Sequence, residues 1–268
     1  MKRSVSLWII AVVVTLLIVI YQRMTGPSYP IKGATQLANE SIKFKLERTH
    51  GGKDSHRISI VVHHPAIQGK VVWKRYKYSE PWKTIAMQKS KNQLIAFLPW
   101  QPPAGKLQYF VLLSVNGKET SLSEKKPVVI RFKGAVPPYY LIPHIFFMFL
   151  AILFAIRTGM EVLFTKDDTQ RLAWETAIFL FLGGLILGPI VQYYAFGSFW
   201  TGFPVGHDLT DTKTLAAMLV WCVAFWKSRN GKDARYWVLA AVISTLAVYL
   251  IPHSVLGSEL DYNKVLKK

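Results

Sequence analysis

Long apolar runs alternate with polar stretches along this chain of 268 residues. Each run is close to the ~20 residues that an α-helix needs to cross about 30 Å of hydrocarbon. The pattern therefore predicts five membrane-spanning helices. They lie at residues 5–21, 139–156, 172–194, 209–226 and 236–252.

The first apolar run follows Lys2 and Arg3, a pattern that fits either a cleaved secretory signal or a retained anchor. The residues after it, 22–24, read Gln-Arg-Met and lack the small side chains that signal peptidase requires. We therefore expect residues 1–24 to form a signal-anchor helix that stays in the membrane.

Positive charge in the short loops predicts the orientation, because loops rich in Lys and Arg stay in the cytoplasm. The loops 157–171 and 227–235 carry three and four such residues, whereas 195–213 carries one. This indicates a multi-pass protein of the bacterial inner (plasma) membrane with a cytoplasmic N-terminus. Residues 22–138 and the outer C-terminal tail, 255–268, are expected on the extracytoplasmic side.

Strict alternation of apolar and polar residues marks the segments 41–48, 58–62 and 107–115, and shorter strand-like segments lie between them. An Asn-Gly pair at 116–117 offers a tight hairpin turn. About seven short strands with regular turns predict an all-β sandwich over 30–135, inserted between the first two spans. The arrangement resembles immunoglobulin and fibronectin type III domains.

Positive charge is concentrated in this outer segment. The whole chain carries a formal charge of +18, and residues 22–138 hold 20 Lys and Arg against six Asp and Glu. Such a surface favours anionic lipid head groups or an acidic partner, and other membrane-protein subunits are the expected partners. Nucleic acid is excluded as a partner, because the segment faces away from the cytoplasm.

The four later spans predict a transmembrane bundle over 137–254. Its outer loop, 195–213, is rich in aromatic residues and glycine. This composition predicts a packed lid over the outer end of the bundle instead of a flexible linker. The end of this loop is expected to deliver His207, Asp208 and Asp211 to the outer leaflet, where Asp208 begins the next helix.

The pentapeptide YLIPH occurs at the start of the second span and again at the end of the fifth. Its two histidines, His144 and His253, are therefore expected in the same outer leaflet. Imidazole and carboxylate together suit Cu, Zn or Fe, and two facing histidines suit haem b. The candidate metal ligands are His144, His207, His253, Asp208 and Asp211, with Glu259, Asp261 and Gln192 around them. The alternative is that each histidine is an ordinary interfacial residue, because no HxxxH or HExxH spacing is present.

The sequence contains no phosphate loop, nucleophile elbow, kinase motif or protease motif. Its one cysteine, Cys222, excludes an intrachain disulfide and the attachment of a c-type haem. We therefore expect a non-enzymatic protein, a subunit or assembly factor of a membrane complex whose basic sandwich faces a partner or lipid. The alternative is a metal- or haem-binding membrane redox protein that uses the outer-leaflet histidines and aspartates.

Overall fold

The computed structural model describes residues 2–124, 126–165, 168–228, 234–252 and 257–266. The chain divides into two compact units. The helical unit comprises residues 1–27 and 136–258, and the β unit comprises residues 28–135 and 259–268. The β unit is therefore built from two stretches of sequence, and the second of them is the segment that was expected to be a separate tail.

The helices of the helical unit follow the apolar runs. They are α1 (Lys2–Thr25), α2 (Pro138–Phe164), α3 (Thr169–Leu180), a π-helical segment (Phe181–Leu187), α4 (Gly188–Phe196), α5 (Leu209–Ser228) and α6 (Arg235–Leu250). The π-helical segment joins α3 to α4 without a break, so that together they form one continuous helical stretch.

Three of these stretches are long and apolar enough to cross a membrane: Ser4–Thr25, Pro138–Phe164 and Thr169–Phe196. The α6 helix is apolar but has only 16 residues. The α5 helix has 20 residues and carries Asp211 and Lys213 near its start. The protein thus combines membrane-type helices with β-sheets, and the expectation of five spans stays a prediction.

Small side chains and hydroxyl groups hold the helices of this unit together. The Thr158 and Thr176 hydroxyls lie 3.1 Å apart between α2 and α3. The indole N–H of the buried Trp221 donates to Thr245 Oγ1 at 2.8 Å between α5 and α6. Both contacts are hydrogen bonds between helices, which stabilise bundles in an apolar medium. The cluster between α2, α3, α5 and α6 includes the fully buried alanines Ala151, Ala155, Ala217 and Ala241.

The first helix packs as part of the unit. Its Ala11 is fully buried in a cluster with Ile152, Ile156 and Tyr249. The Gln22 side chain donates a hydrogen bond of 3.1 Å to the backbone carbonyl of Tyr249. These contacts join the first helix to α2 and α6, and the retention of residues 1–24 as a signal anchor stays a prediction.

A buried ion pair fixes the turn between α2 and α3. Arg157 Nη1 donates to Glu161 Oε2 at 2.6 Å, and both residues are nearly inaccessible to solvent. The second oxygen of Glu161 accepts the backbone N–H of Asp168 at 3.0 Å. Because both oxygens of the glutamate are used, the end of α2 is tied to the start of α3.

The β unit contains eleven strands among its described residues. They are β1 (Ile31–Leu37), β2 (Glu40–Leu46), β3 (Thr49–Gly51), β4 (His56–Val61), β5 (Gln68–Arg75), β6 (Lys83–Ala86), β7 (Gln88–Ser90), β8 (Gln93–Leu98), β9 (Lys106–Val115), β10 (Lys118–Ser121) and β11 (Val128–Lys133). The larger sheet runs β3-β11-β9-β5-β6, with β10 also paired to β9. A second sheet runs β4-β8-β7, and β1 and β2 form a hairpin. All pairs are antiparallel except β3 with β11.

Alternation along the strands produces one apolar core. The β4 strand alternates strictly between buried and exposed side chains, as its sequence predicted. Residues from both sheets and from the β1-β2 hairpin meet in the same cluster. Trp73 on β5 and Tyr109 on β9 are its largest side chains near the middle of the larger sheet, and the Tyr109 hydroxyl donates to the Glu47 carbonyl at 2.9 Å.

The C-terminal segment completes the β unit. The Leu260 N–H donates to the Ala104 carbonyl at 3.1 Å, and α7 (Tyr262–Leu266) follows. The buried Tyr262 hydroxyl lies 3.0 Å from Gln101 Oε1 and 3.2 Å from the Lys106 carbonyl. Burial raises the pKa of Tyr262 to about 12, so that its hydroxyl remains a hydrogen-bond donor at neutral pH.

Two histidines are hydrogen-bonded to each other beside β3. His50 Nε2 lies 3.0 Å from the Asp54 carbonyl and must donate to it, which leaves His50 Nδ1 as an acceptor. His56 Nδ1, 3.2 Å away, therefore carries the proton between the rings. Burial and the adjacent His50 lower the pKa of His56 to about 4, so His56 is neutral when the protein is folded near pH 7.

Acidification should destabilise the β unit through this pair. The unfolded chain takes up a proton at His56 below pH 6.5, whereas the folded chain does so only near pH 4. The stabilisation is therefore complete above pH 6.5 and falls by up to about 3 kcal/mol as the pH approaches 4.

Urea unfolding of the full chain in mild detergent, followed by tryptophan fluorescence between pH 4 and 8, measures this loss. His56→Asn should flatten the pH dependence, because it keeps a donor but does not titrate. The exposed His63→Asn is the matched control and should leave the pH dependence unchanged. An unaltered slope in His56→Asn would contradict this account of the pair.

Candidate functional site

A cluster of polar side chains lies at one end of the helical unit, which we name the carboxylate cluster. It comprises Gln192 on α4, Thr201 in the loop before α5, Asp208 and Asp211 at the start of α5, and Ser258 after α6. Asp208 and Asp211 are each 7% exposed. Four separate segments of the chain therefore meet around two buried carboxyl groups.

One oxygen of Asp211 organises the loop. Asp211 Oδ2 accepts the backbone N–H groups of Thr201 at 2.7 Å and Gly202 at 3.0 Å. It also accepts the side-chain N–H of Gln192 at 2.9 Å. Gln192 thereby links α4 to α5. These donors compensate the desolvation of the carboxylate.

Asp208 caps the following helix and holds the chain after α6. Its Oδ1 accepts the Thr210 N–H at 2.8 Å, which is the N-cap bond that the sequence predicted. Its Oδ2 accepts both the N–H of Ser258 at 2.7 Å and the Ser258 hydroxyl at 2.9 Å. Thr201 Oγ1 lies 3.3 Å from Asp208 and from Asp211, between the two carboxyl groups.

The loop between α4 and α5 is closed by its own backbone as well. The Asp208 N–H donates to the Thr201 carbonyl at 2.9 Å, and the Phe203 N–H donates to Thr212 Oγ1 at 3.0 Å. A Cβ at Gly202 would lie 2.5 Å from Asp211 Cβ and 2.7 Å from the Thr212 nitrogen. Position 202 therefore requires glycine, because the loop backbone lies directly against α5.

Lys213, which follows Asp211 closely on α5, caps the C-terminal end of α6. Lys213 is 8% exposed, and its Nζ donates to the carbonyls of Val248 at 2.9 Å and Ile251 at 2.7 Å. These carbonyls belong to the last turn of α6, where a cation is favoured. The charged residues at the start of α5 thus join α5 to the loop, to α6 and to the chain beyond α6.

The predicted ligand His144 makes a hydrogen bond to the π-helical segment. His144 Nδ1 lies 2.9 Å from the Gly183 carbonyl and must donate to it. The same carbonyl accepts the Gly188 N–H, so that it lies in the wide turn of the π-helix. His144 therefore holds α2 against that turn.

The other candidate residues are distributed between the two units. His207 is exposed beside Asp208, and His253 lies outside the described residues. Glu259 was expected near the histidines, but it belongs to the β unit and pairs with Lys106 at 2.8 Å. Asp261 also belongs to the β unit, where its Oδ1 accepts the Asn263 N–H at 3.0 Å.

No group of three or more His, Cys, Asp or Glu is arranged to hold a metal ion among the residues that the structure describes. The carboxylate cluster brings Asp208, Asp211 and Gln192 together around hydrogen bonds. Because His253 lies outside the described residues, the metal and haem hypotheses stay predictions.

Two residues of this cluster and the neighbouring Lys213 were not predicted from the sequence. Thr201 and Ser258 lie in segments without a recognisable motif, and Lys213 was counted only as a loop charge. The sequence Asp208-Leu-Thr-Asp211 could have indicated the cluster. Two acids at the start of a helix provide hydrogen-bond acceptors for a neighbouring loop as well as for the helix itself.

A second candidate surface is the outward face of the larger sheet, which we name the sheet face. Val72 on β5 pairs with Phe110 on β9, and the Trp82 ring lies 5.5 Å from the Phe110 ring. Lys74 Nζ lies 5.1 Å from the centre of the Trp82 ring. The neighbouring outward pair is Lys70 with Leu112. An apolar centre is therefore bordered by lysines.

Comparisons with protein-family models and with curated proteins found no match for this chain.

Removing the Asp211 carboxyl should release the loop. Asp211→Ala leaves the Thr201 and Gly202 N–H groups without their acceptor, and each such loss costs about 1–3 kcal/mol. We expect deuterium uptake in 197–208 to become at least about tenfold faster, measured by mass spectrometry in detergent. Asp211→Asn should have a smaller effect, because it keeps one acceptor oxygen.

The control variant is Asp261→Ala, which removes an exposed carboxylate from the β unit. It should leave uptake in 197–208 unchanged. Equal protection of this loop in Asp211→Ala and in the wild type would show that the carboxylate does not hold the loop.

Proposed function

We propose that this chain is a multi-pass membrane protein that acts as a subunit or assembly factor of a membrane complex. Its β unit is the module that binds an acidic partner subunit outside the bilayer. The observation that carries the proposal is the sheet face, an apolar centre with a lysine border on the more basic of the two units.

The order of the strands supports an immunoglobulin-like sandwich for the β unit. The strands β4, β8 and β7 form one sheet, and β5, β9 and β11 form the centre of the other. Immunoglobulin-type sandwiches divide their strands between two sheets in this order, with a buried tryptophan on the strand that corresponds to β5. Trp73 occupies that position and is 7% exposed. Domains of this class commonly serve as binding modules on membrane proteins.

The C-terminal segment supports the proposed topology. Residues 259–266 are part of the same compact unit as 28–135, so both belong on the same side of a membrane. The intervening helical segment, 136–258, must then cross the bilayer an even number of times. Four crossings by α2, the α3–α4 stretch, α5 and α6 satisfy this condition, and α1 makes the fifth.

The charges of the short loops indicate how the helices are oriented in the membrane. Basic loops favour a cytoplasmic N-terminus in a bacterial inner membrane, which leaves the β unit and the C-terminus outside. A helix of 16 residues such as α6 is short for a crossing of about 30 Å. The capping of its last turn by Lys213 supports an end in the interfacial region, where a lysine side chain is stable.

Charge supports an acidic partner for the sheet face. The β unit carries 22 Lys and Arg against eight Asp and Glu, which accounts for +14 of the formal charge of +18. Two copies of such a unit repel each other, so self-association through this face is disfavoured. A central tryptophan and phenylalanine within a charged rim match the usual anatomy of protein interfaces.

Cysteine labelling tests the topology. In a Cys222→Ser background, Lys118→Cys in the β unit and Lys264→Cys in the C-terminal segment should both react with an impermeant maleimide in intact cells. Lys227→Cys at the end of α5 should react only after the cells are permeabilised. Opposite accessibility of positions 118 and 264 would contradict an even number of crossings between them.

Photo-crosslinking tests the binding role. A photoreactive side chain at Thr84, which is exposed and outward on β6 next to Val72, should give a discrete protein adduct in native membranes. The same side chain at Ser59, on the outward face of the other sheet, should give none. Lys74→Glu should reduce the adduct from position 84 at least about tenfold, because it places a negative charge in the basic rim.

The matched charge reversal is Lys43→Glu on β2, which has an exposed side chain outside the sheet face. It should leave the adduct intact. Adducts with lipid alone would show that the basic surface serves anionic head groups and would overturn the proposed partner subunit.

A further inference from the structure

The loop between α4 and α5 presents uncovered apolar side chains. Phe199, Phe203 and Val205 are 55%, 64% and 76% exposed. Residues 189–206, which include this loop, contain no charged side chain. Exposure of three large apolar side chains in one short loop is unfavourable in water, and it indicates a surface that is covered in the working protein.

This loop is held in one conformation. The carboxylate cluster fixes Thr201 and Gly202, and the N–H groups of Val205 and Gly206 both donate to the Gly202 carbonyl at 2.9 and 2.8 Å. The apolar tip, which we define as Phe203, Pro204 and Val205, is therefore a rigid protrusion.

The tip lies beside the end of a membrane-type helix. Gln192 is one turn before the end of α4, and its side chain donates to Thr201 Oγ1 at 2.7 Å. The loop consequently folds back along the helix instead of extending away from it. The helical stretch Thr169–Phe196 has 28 residues, long enough to reach from one head-group region to the other.

A chain of aromatic rings continues from the helix into the loop. Tyr140 stacks on Tyr194 at 5.6 Å, Tyr194 contacts Tyr193 at 5.9 Å, and Tyr193 stacks on Phe199 at 4.3 Å. Tyr139 extends the chain at the start of α2. Tyrosines concentrate where the bilayer meets water, because their rings are apolar and their hydroxyls are polar. This belt therefore places the loop at the level of the interface.

We propose that the tip inserts into the boundary between head groups and acyl chains of the outer leaflet and acts as a rigid interfacial anchor. Lipid is favoured over an acidic partner because the loop lacks the lysines that mark the sheet face. It is favoured over a second protein surface because Phe199, in the same loop as the tip, stacks on Tyr193 of the tyrosine belt. The hydrogen bonds of the two buried carboxyl groups hold this anchor beside α4.

Spin labelling of the full chain in liposomes measures the depth. Nitroxides at Phe203→Cys and Val205→Cys, each in a Cys222→Ser background, should collide readily with oxygen and poorly with a polar nickel chelate. Their ratio of oxygen to nickel collisions should be shifted toward that of a label at Leu219→Cys, an exposed position in the middle of α5, without reaching it. They should differ from a label at Lys118→Cys on the β9-β10 hairpin.

Each alternative result overturns the proposal. Ready collision with the nickel chelate at both positions means that the tip lies in water. Poor collision with both reagents, together with an immobile spectrum, means that the tip is covered by protein. Two independent positions guard against a local distortion by one label, and a monodisperse elution profile for each variant shows that the chain is folded.

Discussion

Two buried carboxyl groups determine how the loop end of the helical unit is assembled. Asp211 accepts the loop backbone and the side chain of Gln192, while Asp208 caps α5 and binds Ser258. Burying a carboxylate is costly unless its oxygens accept hydrogen bonds. Displacing the loop or the chain after α6 would therefore leave a buried carboxylate without its donors. The α4 helix, the loop, the start of α5 and the chain after α6 therefore form one cooperative structure. The rigid tip depends on it.

Local patterns predicted much of the fold because they reflect short-range constraints. Strict alternation located β4 and β9, and the pair Asn116-Gly117 does adopt positive φ between β9 and β10. The acid at 208 predicted the start of α5. The β1-β2 hairpin was missed because its turn uses Ala38 with positive φ, a residue type that rarely adopts that conformation. Strand β3 has only three residues and depends on its parallel pairing with β11, which is distant in sequence.

The candidate site was harder to predict, because topology gives the level of a residue but not the partner of its side chain. His144 lies on α2 as expected, yet its ring is directed to a carbonyl in a π-helical turn that no sequence pattern announced. Glu259 was expected beside the aspartates, but it forms an ion pair with Lys106 within the β unit. The two aspartates did come together with Gln192, since their spacing at the start of α5 and the return of the loop bring them to the same place.

The attachment of Tyr262 to the β unit also sets an order of events during synthesis. Residues 28–135 leave the ribosome long before residues 259–266, because the whole helical segment is made between them. Until the last residues arrive, Gln101 and the backbone around Ala104 lack their partners. The β unit is thus completed only after the whole helical segment has been synthesised. A chain that stops early lacks these contacts, a difference by which proteases or chaperones can distinguish finished molecules from interrupted ones.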